Sequence, residues 1–226
     1  MGVTTLLGCG ADTPGAGSQA LTAAGASVPV PVARPTGPVA VPAAQATTLW
    51  YPAPADEPLI IQEGLPIGNG RLGALVGGAP DNDFVYLSDG SLWIGDANDA
   101  LGDDGQYSYE GTHFGSFQKL AHVRIAMPGH TLSAITEFRR GLDLSNGIVT
   151  MTYTRKQTQY RREAYASHPD DVVIMRLVAT GPDRLTGSVT VQGTRGETTA
   201  GYPATLTVGI DSMLGNGLKY AAVVTA

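Results

Sequence analysis

The chain has 226 residues, room for one all-β domain or two small ones, and 42% are hydrophobic, enough for a sizeable core. Charged residues make up only 15% and the net charge is −6, so there is no broad basic surface and nucleic acid is not expected as a partner. No apolar run approaches the ~18 residues of a membrane-spanning helix, and a lone cysteine excludes an internal disulfide or a cysteine-based zinc cluster.

In chain order, Leu6-Leu7-Gly8-Cys9 comes first. It is similar to the close of a bacterial lipoprotein signal, in which the cysteine takes a lipid and becomes the new N-terminus. Cys9 is therefore a candidate lipidation site, although only eight residues precede it and none is Lys or Arg. A fortuitous tetrapeptide or a misplaced start codon is the plainer account. From Gly10 to Thr48 the chain is mostly Ala, Gly, Pro, Ser, Thr and Val with no sustained period, and Val28-Pro29-Val30-Pro31-Val32 favours extended backbone. Residues 1–48 read as a shortened export signal plus disordered linker, and residues 49–226 as the folded domain. The expected location is outside the cytoplasm, secreted or at a bacterial-type cell surface.

Beyond Leu49 the period is that of strands. Leu65-Pro66-Ile67-Gly68-Asn69-Gly70-Arg71-Leu72-Gly73-Ala74 lacks the Lys-Ser/Thr of a phosphate loop. It predicts a tight turn with positive φ at Gly68 or Gly70 that feeds a strand over Leu72 to Val76. Leu132 to Arg140 has apolar residues near one helical turn apart, which suits a short helix or a strand entering a turn. Val149, Met151 and Tyr153 alternate with Thr150, Thr152 and Thr154, so apolar and hydroxyl groups take opposite faces of one strand. On the next, Arg161 and Glu163 share a face opposite Arg162, and a surface cross-strand ion pair is the simplest reading. Val172 to Val178 is a nearly continuous apolar run, expected of a strand covered on both sides. Period-2 runs follow at Val189 and Val191, at Leu206, Val208 and Ile210, and from Tyr220 to Val224. Asn146-Gly147, Gly181-Pro182-Asp183 and Gly215-Asn216-Gly217 mark turns between them. The fold class is all-β, with antiparallel sheets packed as a sandwich.

Catalytic chemistry is hard to place. Asp81 with Asp83, Asp103-Asp104 and Asp170-Asp171 are carboxylate pairs, but adjacent side chains along an extended chain point apart, and loop solvation or calcium ligation is the plainer account of all three. His113, His122, His130 and His168 lack metal-binding spacing and read as surface or turn residues. No metal and no cofactor is expected. Trp93 is a candidate sugar-stacking face, with a place in the core as its alternative. Asn69, between two glycines, is a candidate for presenting its amide to a hydroxyl-rich ligand, with a simple turn role as its alternative.

A set of motifs in register then makes the chain recognisable. Leu49-Trp50-Tyr51 and the Leu65 to Ala74 segment resemble the opening of the N-terminal domain of family 95 glycoside hydrolases, the α-L-fucosidases and their relatives. Leu87-Ser88-Asp89-Gly90-Ser91-Leu92-Trp93-Ile94-Gly95 is similar to that family's Leu-Asn-Glu-x-Thr/Ser-Leu-Trp-Ser-Gly. Phe114 to Gln118 is similar to its Gly-Ser-Tyr-Gln, Phe138 to Leu144 to its Tyr-Arg-Arg-x-Leu-Asp-Leu, and Thr152-Tyr153-Thr154 with Tyr160 to Val172 to its Tyr-x-Arg-Glu-x-Phe-x-Ser-x-Pro-Asp segment. Ser88-Asp89 stands where the family has Asn-Glu, and Lys119-Leu120-Ala121-His122 where it has Pro-Leu-Gly-Asp.

The resemblance implies a β-super-sandwich that precedes a helical (α/α)6 barrel carrying an inverting general acid and an activated water. No position here matches the barrel motifs, so no catalytic residue is assigned. The sandwich is expected to be incomplete at its C-terminal end, and the glycan or polysaccharide substrate to be engaged through the missing domain. The alternatives are a free-standing carbohydrate-binding or structural module and an inactive gene fragment.

Overall fold

The computed structural model describes residues 2–8, 21–22, 47–94, 116–195, 197–202, 207–214 and 217–225. Cys9, most of the linker, His113 and the Asp103-Asp104 pair lie outside the described residues. Among those described, the strands form two antiparallel sheets. The larger runs, in spatial order, β13 (Thr198–Tyr202), β14 (Thr207–Met213), β15 (Lys219–Thr225), β1 (Gly2–Gly8), β11 (Val172–Thr180), β10 (Thr158–Ser167), β9 (Ile148–Arg155), β8 (Thr136–Asp143) and β3 (Thr48–Tyr51). The smaller runs β2 (Leu21–Thr22), β12 (Ser188–Gln192), β7 (Ser116–Ala126), β6 (Asn82–Ile94), β5 (Leu72–Val76) and β4 (Leu65–Gly68). No helix among the described residues is long and apolar enough to cross a membrane.

Alternation builds the core. Val149, Met151 and Tyr153 of β9 turn inward to meet Val76, Val85, Leu87 and Val123 of the smaller sheet in one continuous cluster. Val208 and Ile210 of β14 and Tyr220, Ala222 and Val224 of β15 extend it. A smaller cluster of Ala55, Ile60 and Phe84 lies under a 3-10 turn (Glu57–Leu59) that leads into a single helical turn, α1 (Ile60–Glu63). The β8–β9 turn is as the sequence predicts: Gly147 adopts φ 69°, and Asp143 accepts from the backbone N–H and hydroxyl of Ser145. These bonds hold its carboxyl below the ordinary carboxylate range.

Three expectations are corrected and one open choice is decided. The apolar run of β11 is not covered on both sides: Val173, Met175, Leu177 and Ala179 are buried, whereas Ile174 and Val178 are half-covered and Arg176 is exposed. Much of any folded protein's surface is apolar, so a half-covered apolar outer face needs no second layer. Leu132 to Arg140 divides into a 3-10 turn at Leu132–Ala134 and strand β8, the turn resolving the helix-like spacing. Asp83 is not a solvated loop carboxylate but fully buried. Nor is His130 a surface residue.

His130 is buried, with Nδ1 2.8 Å from the Tyr153 hydroxyl and its ring edge-on to Tyr153 and Tyr160. Burial lowers its pKa below the ordinary 6.5, with Arg155 and Arg162 adding to the effect and Asp183 and Asp81 opposing it. Below about pH 6.5 the unfolded chain therefore binds a proton that the folded chain resists, and stability falls as the pH drops through that value. Thermal melts between pH 7.5 and 5.5, chosen to lie above the carboxylate range, should show a fall in Tm with acid that flattens in His130→Gln. A slope unchanged by the substitution would place the acid sensitivity elsewhere.

Candidate functional site

The motif turn between β4 and β5 is shaped by its own sequence. Gly70 takes φ 98°, a conformation that disfavours any side chain. The Asn69 Oδ1 accepts from the backbone N–H of Arg71 (3.0 Å) and Leu72 (2.7 Å), closing the loop on itself. The Asn69 Nδ2 donates to the Ser167 carbonyl (2.8 Å) and to Asp171 Oδ1 (3.1 Å), which tie the turn to the connection between β10 and β11. Both donors and both acceptor positions of the amide are thus engaged within the protein. His168 Nδ1 lies 3.2 Å from the Asn69 carbonyl.

Arg71 extends the tie. Its Nη1 donates to Asp171 Oδ2 (2.7 Å), and its Nε lies 3.4 Å from Asp89 Oδ2. Asp89 is buried and accepts through Oδ1 from the backbone N–H (2.8 Å) and hydroxyl (2.6 Å) of Ser91. Asp171 is held at φ 53°, a left-handed conformation that Asp tolerates when such bonds secure it. Asn69, Arg71, Asp89, Ser167, His168 and Asp171 thereby form one polar cluster drawn from three recognisable motifs. The sequence singled out Asn69; it held no signal that Arg71 and Asp171, 100 residues apart, would meet.

Trp93 lies on β6 beyond a shift in register after Ser88. It is 42% exposed and meets Phe117 of β7, itself 68% exposed, edge-on at 4.8 Å. Its ring is thus outside the core, on an aromatic pair that solvent reaches. Cys9, the remaining candidate, lies outside the described residues.

Within the sandwich sits an ion pair the sequence did not reveal. Arg162 of the Tyr160 to Asp170 motif turns inward and its Nη1 donates to Asp83 Oδ2. Asp83 Oδ1 accepts from the backbone N–H of Gly78 (2.6 Å), Ala79 (3.1 Å) and Phe84 (2.9 Å). The pair joins the two sheets, because Arg162 is on β10 and Asp83 on β6. On the opposite face of β10, Glu163 is the centre of charge: Arg161 Nη2 reaches it at 2.6 Å along the strand and Arg176 Nη1 at 3.4 Å across it. The cross-strand pair expected of this segment is therefore Glu163 with Arg176, its register partner. No group of three or more His, Cys, Asp or Glu side chains suited to a metal ion occurs among the described residues.

Comparison with known proteins fits this arrangement. Residues 49–108 and 100–226 match the family described as glycosyl hydrolase family 65, N-terminal domain. The chain is 31% identical over 166 residues to a probable alpha-fucosidase A of Aspergillus niger, covering 62% of this chain and 21% of that protein. A probable alpha-fucosidase A of Aspergillus oryzae is 27% identical over 164 residues, 61% of this chain and 22% of that protein. Alpha-L-fucosidase 2 of Arabidopsis thaliana is 25% identical over 150 residues, 56% of this chain and 18% of that protein. The chain thus spans about a fifth of the length of these curated relatives. With the match running through both sheets from β3 to β15, the chain belongs to the family of glycosyl hydrolase family 65 N-terminal domains.

Proposed function

We propose that this chain is the leading, non-catalytic β-sandwich of a family-95-type glycoside hydrolase whose full-length form hydrolyses α-L-fucosyl or related glycosidic bonds. The observation that carries the reading is the set of relatives named as fucosidases, each matched over about a fifth of its length by this chain. The motifs that carry the resemblance also meet in space, since the Asn69 turn is bound to the Ser167 to Asp171 connection. In this reading the sandwich orients the catalytic domain. Of the two substrate-facing candidates, the exposed Trp93 is the place where it reaches toward saccharide, while the Asn69 amide is engaged in holding its own turn.

Export to the cell exterior belongs to the same proposal, with Cys9 as the residue a lipid would join. Processing ahead of Cys9 would remove Gly2–Gly8, and with it the strand that pairs with β11 over seven positions. A lipid-anchored form would therefore need another strand to take that place.

The test is direct. The purified 226-residue chain is expected to release no 4-nitrophenol from 4-nitrophenyl α-L-fucoside above the buffer rate, because no general acid and activated water are assigned within it. Turnover that rises in proportion to this protein's concentration through successive purification steps would place catalysis in the sandwich and overturn the reading.

A further inference from the structure

The outer face of the larger sheet carries a trough whose origin lies in strand register. Trp50 of β3 pairs with Gly141 of β8, Gly141 with Thr150 of β9, and Thr150 with Glu163 of β10. Paired residues share a face, so a bulky indole and a bulky ion pair stand on either side of two small residues. Trp50 and Glu163 are three strand spacings apart, roughly 14 Å between backbones. Gly141 is needed at the floor: a Cβ there would come within 2.7 Å of the Trp50 ring. The next row adds Thr152 beside Arg161. The resulting hollow has a volume of about 180 Å3 and also touches Asp143.

The geometry points to a binding site here for a single neutral pyranose ring. Three features select that chemistry. The first is Trp50, half-buried at the edge of the hollow, since indole faces pack against the apolar C–H face of a sugar ring. The second is a dense mix of donors and acceptors: the hydroxyls of Thr150 and Thr152, the Arg161 guanidinium and the Glu163 and Asp143 carboxylates. The third is mixed charge. Glu163 and Asp143 are interleaved with Arg161 in the lining, Arg176 also reaches Glu163, and the Arg139 guanidinium stands 5.9 Å from the Trp50 ring centre, so charges of both signs surround the hollow. The volume is below the ~300–1,000 Å3 of clefts that enclose drug-sized ligands, which limits the occupant to about one ring. This site is separate from the Asn69 turn and does not depend on where hydrolysis takes place.

The experiment uses the whole 226-residue chain, labelled with 15N and titrated with methyl α-L-fucopyranoside, methyl β-D-galactopyranoside, D-glucuronate and inorganic phosphate. At least one neutral glycoside is expected to shift the Trp50 indole N–H and the Thr150 and Thr152 amides saturably, with Kd of about 1–10 mM. Trp50→Ala should weaken this by about tenfold or more. Should Trp50→Ala fail to fold, Thr150→Ile decides the matter: it keeps a β-branched strand residue, fills the floor, and should abolish binding with an unchanged melt. The proposal is overturned by any of four results: no saturable shift with either neutral glycoside, tighter binding of glucuronate or phosphate, full binding in folded Thr150→Ile, or shifts centred on Trp93.

Discussion

Asp83→Ala is expected to destabilise the domain by about 3–5 kcal/mol, the range for removing one partner of a buried ion pair. The reason is that one carboxylate serves four donors: three backbone N–H groups at Gly78, Ala79 and Phe84, and the Arg162 guanidinium. Both side chains are nearly inaccessible, 4% for Arg162 and 0% for Asp83, so water cannot take the carboxylate's place. Arg162→Met should cost less. It leaves Asp83 with its three backbone donors, and the methionine can fill part of the vacated volume beside Met127. Denaturant unfolding of both variants would test this order, and the Tm of Asp83→Ala should fall by roughly 10 °C or more. If Arg162→Met proves the more damaging, the backbone bonds contribute little and the account of the pair is wrong.

Asn69→Gly is expected to lower stability by at least about 2 kcal/mol, from four hydrogen bonds each contributing about 0.5–1.5 kcal/mol and the added backbone freedom of glycine. Asn69→Asp separates the two halves of that effect. It keeps an oxygen for the Arg71 and Leu72 N–H groups, but it loses both Nδ2 donors and sets a carboxylate against Asp171. Both variants should therefore melt early, and amide exchange at Leu72 should quicken only in the glycine variant. Two measurements distinguish this from a role in meeting substrate. A turn-holding role lowers Tm in the isolated chain. A substrate-facing amide leaves Tm unchanged and lowers kcat/KM in the full-length parent by roughly tenfold or more. An unchanged melt would remove the anchoring role assigned to Asn69.

What the sequence by itself determined is the local grammar. Period-2 alternation placed Val149, Met151 and Tyr153 on one buried face, and Asn146-Gly147 marked a turn that Gly147 makes with positive φ. The glycine-rich turn before Leu72 was legible because few residues other than glycine suit the conformation Gly70 adopts. The sequence also carried motifs that resemble a glycoside hydrolase N-terminal domain, a likeness that depends on residue order rather than on contact. Alternation tells which face a side chain takes, but not which strand lies beside it or what covers it. That limit accounts for His130 and Asp83, polar residues whose burial depends on partners 23 and 79 positions away. It also accounts for β11, whose apolar run looked doubly covered when its outer side is only half-covered. Only the tertiary structure brought Asn69 to Asp171 and Arg162 to Asp83. It alone set Trp50, Gly141, Thr150 and Glu163 in one row across four strands, because register between distant strands is decided by the packing of the whole sandwich.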